Sequence, residues 1–195
     1  MAGALLRFGA IVLAAGLSRR MGGPNKLLQP YRGQPLLAHA LESAAKAGLA
    51  SRVVVTGRDP AEIEALAALY GFRCVHNARF SEGLGASIAA GASAADASLA
   101  GVFIALGDMP EVLADDYRLL ASRFAHGAIA APVYKRARGH PVLFCASYLD
   151  ELSALRGEEG ARSILKRRAA RFIEVETDNR GVLRDFDTPD DFKAS

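Results

Sequence analysis

The sequence predicts an α/β protein: a mostly parallel, mixed sheet with helices on both faces, in three layers. Three observations predict it. Short apolar runs recur along the 195 residues, and stretches of helical periodicity separate them. Gly or Pro punctuates most of the junctions. No internal repeat, low-complexity linker or composition break divides the chain. Strand and helix alternating in this way is the sequence form of βαβ units. One domain spanning residues 1–195 is the expectation.

The elements follow in order. Phe8 to Leu13 is an apolar, β-rich run that stops at Ala14-Ala15-Gly16, as suits a buried parallel strand. Residues 15–26 form a long, Gly-punctuated basic loop. Pro35 suits the first turn of a helix with Leu36, Leu37, Ala40, Leu41 and Ala44 on one face, and Gly48 ends it. Arg52 to Thr56 reads as the second strand. Asp59-Pro60 then caps a helix with Ile63, Leu66, Ala67 and Tyr70 on its apolar side, closed by Gly71. Phe72 to Val75 is a third strand and Leu84 to Ala95 an Ala-rich helix. Val102 to Leu106 is a fourth strand, ending in Gly107-Asp108-Met109-Pro110. Leu113 to Phe124 is helical. Ala128 to Tyr134 and Pro141 to Cys145 read as strands around a basic turn. Helices near 147–154 and 160–168, a strand from Arg171 to Val175 and a short helix from Thr188-Pro189 complete the chain.

Composition bounds the function. Hydrophobic residues make up 51% and charged residues 23%, which excludes intrinsic disorder. The net charge is +3 and the pI about 9.0, too mild to imply nucleic acid without a basic cluster. Two cysteines, Cys74 and Cys145, build no disulfide framework, and a reducing, cytoplasmic setting is expected. The apolar run at Phe8 to Gly16 is far too short to span a membrane. Its heaviest basic pair, Arg19-Arg20, follows the run, whereas a signal peptide would put it before.

Standard motifs fail. Gly22-Gly23-Pro24-Asn25-Lys26 does not satisfy a P-loop, and Gly16-Leu17-Ser18 breaks a dinucleotide fingerprint. Gly83-Leu84-Gly85 starts one, but Ile88 stands where its third Gly belongs. There is no Gly-x-Ser-x-Gly elbow, and the four histidines lack His-x3-His spacing.

Other motifs survive. In Leu13-Ala14-Ala15-Gly16-Leu17-Ser18-Arg19-Arg20-Met21-Gly22, followed by Asn25-Lys26, backbone amides behind a strand form a nest for phosphate oxygens. Arg20 suits bidentate pairing with phosphate, and Lys26 supplies a point charge. Asp108, behind the fourth strand, suits Mg²⁺ or else N-caps a helix starting at Pro110. Asp185 and Asp187 lie before the Thr188 cap and alternate onto one side of an extended segment, where either can supply a second metal ligand. Gly83 and Ser87 sit at a helix start able to hold a polar ligand edge, and His140 lies beside a basic turn. For both stretches a purely structural role accounts for the residues equally well.

Taken in order, these motifs resemble the MobA-like nucleotidyltransferase family, most closely its molybdenum cofactor cytidylyltransferase branch. The match runs from about residue 8 to 192 and includes Gly139-His140-Pro141-Val142-Leu143-Phe144 and Asp185-x-Asp187-Thr188-Pro189-x-Asp191. The resemblance implies a Rossmann-like α/β/α nucleotidyltransferase fold and transfer of a nucleotide to a phosphorylated acceptor, with release of pyrophosphate and Mg²⁺ as cofactor. Ala14 to Gly22 would wrap the triphosphate, with Arg20 on it, and Lys26 would offset charge during transfer. Gly83 and Ser87 match the region that holds the base. Asp108 and Asp187 would hold the metal, and His140 would lie near the acceptor. Guanylyltransferases of the family tend to carry Gly where this chain has Ala15, whose Cβ leaves less room for a purine. The resemblance therefore implies CTP as donor and molybdopterin as acceptor, with a molybdenum hydroxylase or its maturation factor as partner. GTP as donor, another small phosphorylated acceptor, or a nucleotide-binding molybdenum cofactor chaperone without turnover are the rival readings. No nucleic acid and no membrane is expected among its partners.

Overall fold

The computed structural model describes residues 6–16, 25–158 and 160–193. Within them a mixed sheet forms from β1 (Phe8–Ala14), β4 (Ser51–Thr56), β5 (Arg73–His76), β6 (Gly101–Leu106), β7 (Ile129–Tyr134), β8 (Ala137–Arg138), β9 (Val142–Cys145) and β10 (Phe172–Glu176). The strand order is β10-β7-β9-β6-β1-β4-β5, with β8 paired to β7. β1 pairs in parallel with both β4 and β6, while β9 runs antiparallel between β6 and β7. Two further strands, β2 (Pro30–Tyr31) and β3 (Gln34–Pro35), form a separate antiparallel hairpin.

The helices are α1 (Leu36–Lys46), α2 (Pro60–Leu69), α3 (Leu84–Ser93), α4 (Ala114–Ser122), α5 (Leu149–Ser153), α6 (Arg162–Arg167) and α7 (Pro189–Lys193). They cover both faces of the sheet, as the alternation predicts. Strand residues alternate between faces. Val12, Val54 and Phe103 meet Leu37 and Leu41 of α1, Ile63 of α2 and Leu120 of α4 on one side. Ile11, Val55 and Ile104 meet Ile88 of α3, Leu152 of α5 and Ile164 of α6 on the other. Gly91 lets α3 lie close: a Cβ there would fall 2.3 Å from Ile11 Cγ2.

Some local expectations need correction. Pro35 is not in the first turn of α1; it is the N-cap, with extended ψ of 142°, and closes the hairpin. The hairpin itself is not legible from apolar periodicity. Its signal is Arg32-Gly33, both at positive φ (46° and 84°), the dihedral pair that a tight two-residue hairpin turn needs. Asp59 precedes α2 as expected but makes no side-chain capping bond, because its backbone is left-handed (φ 52°) and its carboxylate turns to Arg58. At the start of α7 the side-chain bonds run from Thr188 to Asp191: Asp191 Oδ2 accepts from the Thr188 N–H at 2.7 Å and from its hydroxyl at 2.8 Å, while the Asp191 N–H donates to the Thr188 carbonyl at 3.1 Å. No helix among the described residues is long and apolar enough to cross a membrane.

Candidate active site

The sheet places the site. From β1 the chain moves outward to β4 and β5, then returns to β6 on the other side of β1. Ligands of open α/β sheets bind at the carboxyl ends of strands at such a reversal. A cleft of about 380 Å³ opens there. Leu13 lines it from β1 and Ala15 and Gly16 from the residues just after it, Leu106 from β6 and Asp108 from the loop that follows, and Gly83, Leu84 and Ser87 from the N-cap and first turns of α3. Ala14 does not line it. Strand alternation turns its side chain into the core at 1% exposure, so only its backbone is available to a ligand. Ser18, Arg19, Arg20, Met21 and Gly22 lie outside the described residues.

Asp108 reaches the cleft because of Gly107. The Gly107 N–H donates to the Leu13 carbonyl at 3.0 Å, and a Cβ at Gly107 would sit 2.8 Å from Leu37 Cδ1. The capping alternative for Asp108 is overturned, since α4 begins only at Ala114 with Leu113 as N-cap. Lys26 comes from a 3-10 turn, Lys26–Leu28, capped by Asn25 Oδ1 accepting from the Leu27 N–H at 3.1 Å.

The decisive contact joins three predicted residues that lie far apart in the chain. Lys26 Nζ donates to Asp108 Oδ2 at 2.7 Å and to Asp187 Oδ1 at 2.6 Å. Burial works against the Lys26 ammonium, yet the Asp108 and Asp187 carboxylates outweigh it and raise its pKa above the ordinary lysine value. Asp185 is exposed two residues away; desolvation, with Asp187 and Asp108 nearby, raises its carboxyl above the usual range.

Asp187 is delivered by its neighbours. The Phe186 N–H donates to the Asp108 carbonyl at 3.0 Å, and the fully buried Phe186 ring meets Tyr31 edge-on at 4.8 Å. Glu111, three residues beyond Asp108, accepts from Tyr31 Oη at 3.0 Å and from Arg184 at 2.7 Å. A Cβ at Gly181 would lie 2.3 Å from the Glu111 carbonyl oxygen. The segment carrying Asp187 is therefore fastened to the loop carrying Asp108.

His140 is not among the described residues that line the cleft. It is half-buried before β9, its N–H donating to the Val182 carbonyl at 2.9 Å, and a cis peptide joins it to Pro141. Desolvation lowers its pKa below the usual histidine value, with Asp108 opposing and Arg162 assisting.

Sequence reasoning missed Asn77 and Glu158. Asn77 follows the last residue of β5 and donates from Nδ2 to Ser87 Oγ at 3.2 Å. Its signal was a polar residue at a strand end on the ligand side of the sheet. Glu158 lines the cleft because Gly83 and Gly85 admit the 156–158 backbone, and the Gly85 N–H donates to the Gly157 carbonyl at 2.8 Å. The flanking glycines at 157 and 160 were the visible mark.

Two acidic groups converging on one cation provide hard oxygen donors. That set fits a divalent cation of the Mg²⁺ type, which takes one or two carboxylates and fills its shell with phosphate and water. Among the described residues no group of three His, Cys, Asp or Glu side chains gathers as an all-protein metal site.

A cleft at the reversal point of an α/β sheet, with a lysine held between two carboxylates at one end, marks an enzyme that handles nucleotides through their phosphates. Comparison with known proteins gives the family: a MobA-like NTP transferase domain matches residues 10–172, and the chain belongs to that family of nucleotidyltransferases. The molybdenum cofactor cytidylyltransferase of Escherichia coli is 31% identical over 184 residues, 93% of this chain and 92% of that protein. A nicotine blue oxidoreductase of Paenarthrobacter nicotinovorans is 30% identical over 186 residues, 91% of each chain. Rv0371c of Mycobacterium tuberculosis, with 27% identity, superposes with a TM-score of 0.85 over 98% of this chain and 97% of that one. A complex of the same protein with manganese gives a TM-score of 0.78 at 25% identity, over 98% of both chains.

Proposed function

We propose that the chain is a cytoplasmic, single-domain CTP:molybdopterin cytidylyltransferase. The observation that carries the reading is the Lys26–Asp108–Asp187 cluster at one end of a cleft whose other end holds Gly83 and Ser87. The arrangement suits a triphosphate at the charged end and a base at the α3 end. Ala15, 4% exposed and lining the cleft, supports a pyrimidine in place of a purine. The cytidylyltransferase relative supports the acceptor.

In this reading a terminal phosphate oxygen of the acceptor attacks the α-phosphorus of CTP. The new P–O bond forms as the bond to the β-phosphate oxygen breaks, and pyrophosphate leaves with the electron pair. Such transfer depends on positioning and charge neutralisation more than on an acid or base. Asp108 and Asp187 would hold Mg²⁺, which neutralises triphosphate charge when bound. Lys26, fixed in its charged form, offsets charge on the phosphates, and Arg20 retains the phosphate-pairing role the sequence assigns it. His140 belongs to the acceptor side, through its segment's bond to Val182.

The test is pyrophosphate release with molybdopterin and each of the four NTPs in MgCl₂. CTP should give release, and Asp108→Ala should lower the rate roughly 10²–10³-fold or more in a folded protein. Release with GTP alone favours the guanylyltransferase, and CTP binding without release favours the chaperone. Near-wild-type release by Asp108→Ala refutes the assignment of the site.

A further inference from the structure

The base end of the cleft contains a polar pair outside the carboxylate cluster. Asn77 is 5% exposed. Its N–H donates to the Thr56 carbonyl at 2.8 Å, and its carbonyl accepts from the Phe80 N–H at 3.1 Å. The backbone is thus fixed on both sides. The side chain is oriented as well, because the Arg79 N–H donates to Asn77 Oδ1 at 3.0 Å. An amide that accepts there must present its NH₂ the other way, toward Ser87 Oγ at 3.2 Å. An amide nitrogen donates and does not accept. Ser87 Oγ therefore receives a hydrogen from Asn77 and keeps its own. Ser87, 5% exposed, lines the cleft, and its hydroxyl hydrogen is left for whatever occupies it.

We propose that Asn77 is a specificity-positioning residue: by donating to Ser87 Oγ it fixes that hydroxyl as a hydrogen-bond donor toward the base, and so selects an edge that presents an acceptor. The inference rests on the base lying at Gly83 and Ser87, as above. Cytosine presents an acceptor at N3 beside the O2 acceptor. Uracil presents an N3–H at the same place. With one lone pair taken by Asn77, the hydroxyl turns its hydrogen to the first, whereas the second must use the one lone pair left and strands that hydrogen in the cleft; a hydroxyl without Asn77 serves both.

Asn77→Asp reverses the device. One carboxylate oxygen still accepts from the Arg79 N–H. The other now accepts from Ser87 and turns the hydroxyl's lone pair to the base. The probe is calorimetric titration of CTP and of UTP in MgCl₂ at pH 8, with no acceptor present. The wild type should prefer CTP, and in Asn77→Asp the CTP:UTP affinity ratio should fall roughly tenfold, the scale of one exchanged hydrogen bond. Ser87→Ala should lower the ratio too, and adding Asn77→Asp to it should lower it no further. A structural role for Asn77 weakens both nucleotides by the same factor, and an unchanged ratio overturns the proposal. If Asn77→Asp does not fold, Asn77→Ala replaces it and should fall to the Ser87→Ala ratio. A ratio that collapses in Ser87→Ala but holds in the Asn77 variant overturns this inference alone. A ratio unmoved by Ser87→Ala overturns the base placement, and the inference with it.

Discussion

Replacing Lys26 by Met removes the ammonium shared by Asp108 and Asp187 and leaves a chain of similar length. Both carboxylate oxygens lie within 2.7 Å of one nitrogen, so they face each other at close range once it is gone. Two like charges about 5 Å apart repel by about 1–3 kcal/mol at effective dielectric constants of 20–60. Losing the partner of a fully buried pair costs about 3–5 kcal/mol, and the side chains here are 10%, 21% and 31% exposed, which discounts that figure. A net loss of about 2–3 kcal/mol is expected, or roughly 4–12 °C in melting temperature for a chain of this size. The assay is thermal unfolding in EDTA and again in millimolar MgCl₂ or MnCl₂. The Lys26→Met protein should melt lower in EDTA, and the divalent cation should recover part of the loss while shifting wild type less. Equal melting points in EDTA, or equal metal shifts in both proteins, would show that the carboxylates are not held together by the lysine.

Other outcomes follow from the same structure. Asp116, 4% exposed, accepts from the Leu113 N–H at 2.8 Å, Asn179 Nδ2 at 2.7 Å and Thr177 Oγ1 at 3.3 Å, so Asp116→Ala strands buried donors and should cost about 2–4 kcal/mol by urea unfolding. Gly91→Ala gains helix propensity of about 1 kcal/mol but drives a methyl into Ile11, and should still destabilise by about 1 kcal/mol or more in the same measurement. Burial holds the His140 imidazole below its ordinary 6.5, so the unfolded chain takes up that proton first as pH falls. Its contribution is complete above 6.5 and is lost as pH drops toward the folded value; His140→Gln should flatten urea midpoints between pH 5 and 7.

The strands and the larger helices were legible because apolar periodicity and glycine stops are local. Phe8 to Leu13 needed one residue added, and Val102 to Leu106 likewise. The Lys26 clamp was only half legible. Asp108 and Asp187 each stood out at the end of a strand or before a cap, and Lys26 stood out in its loop. Nothing local says that one ammonium bridges both acids, because their meeting depends on Phe186 hydrogen-bonding to the Asp108 loop and on Glu111 gathering Tyr31 and Arg184. Asn77 was invisible for the same reason: its role is set by Ser87, ten residues away on another element. Asp59 failed in a different way, since the residue type fits a cap but its left-handed backbone turns the side chain elsewhere.

Asp187 lies on the segment that follows the last strand, β10, and not on the sheet itself. Half of the acid pair thus belongs to a clasp fastened to the loop that carries Asp108. A change that loosens this clasp would carry the second carboxylate away from the lysine and leave the register of the sheet untouched. In this chain the clasp is pinned by Phe186, Gly181 and Arg184, so the second carboxylate arrives already seated.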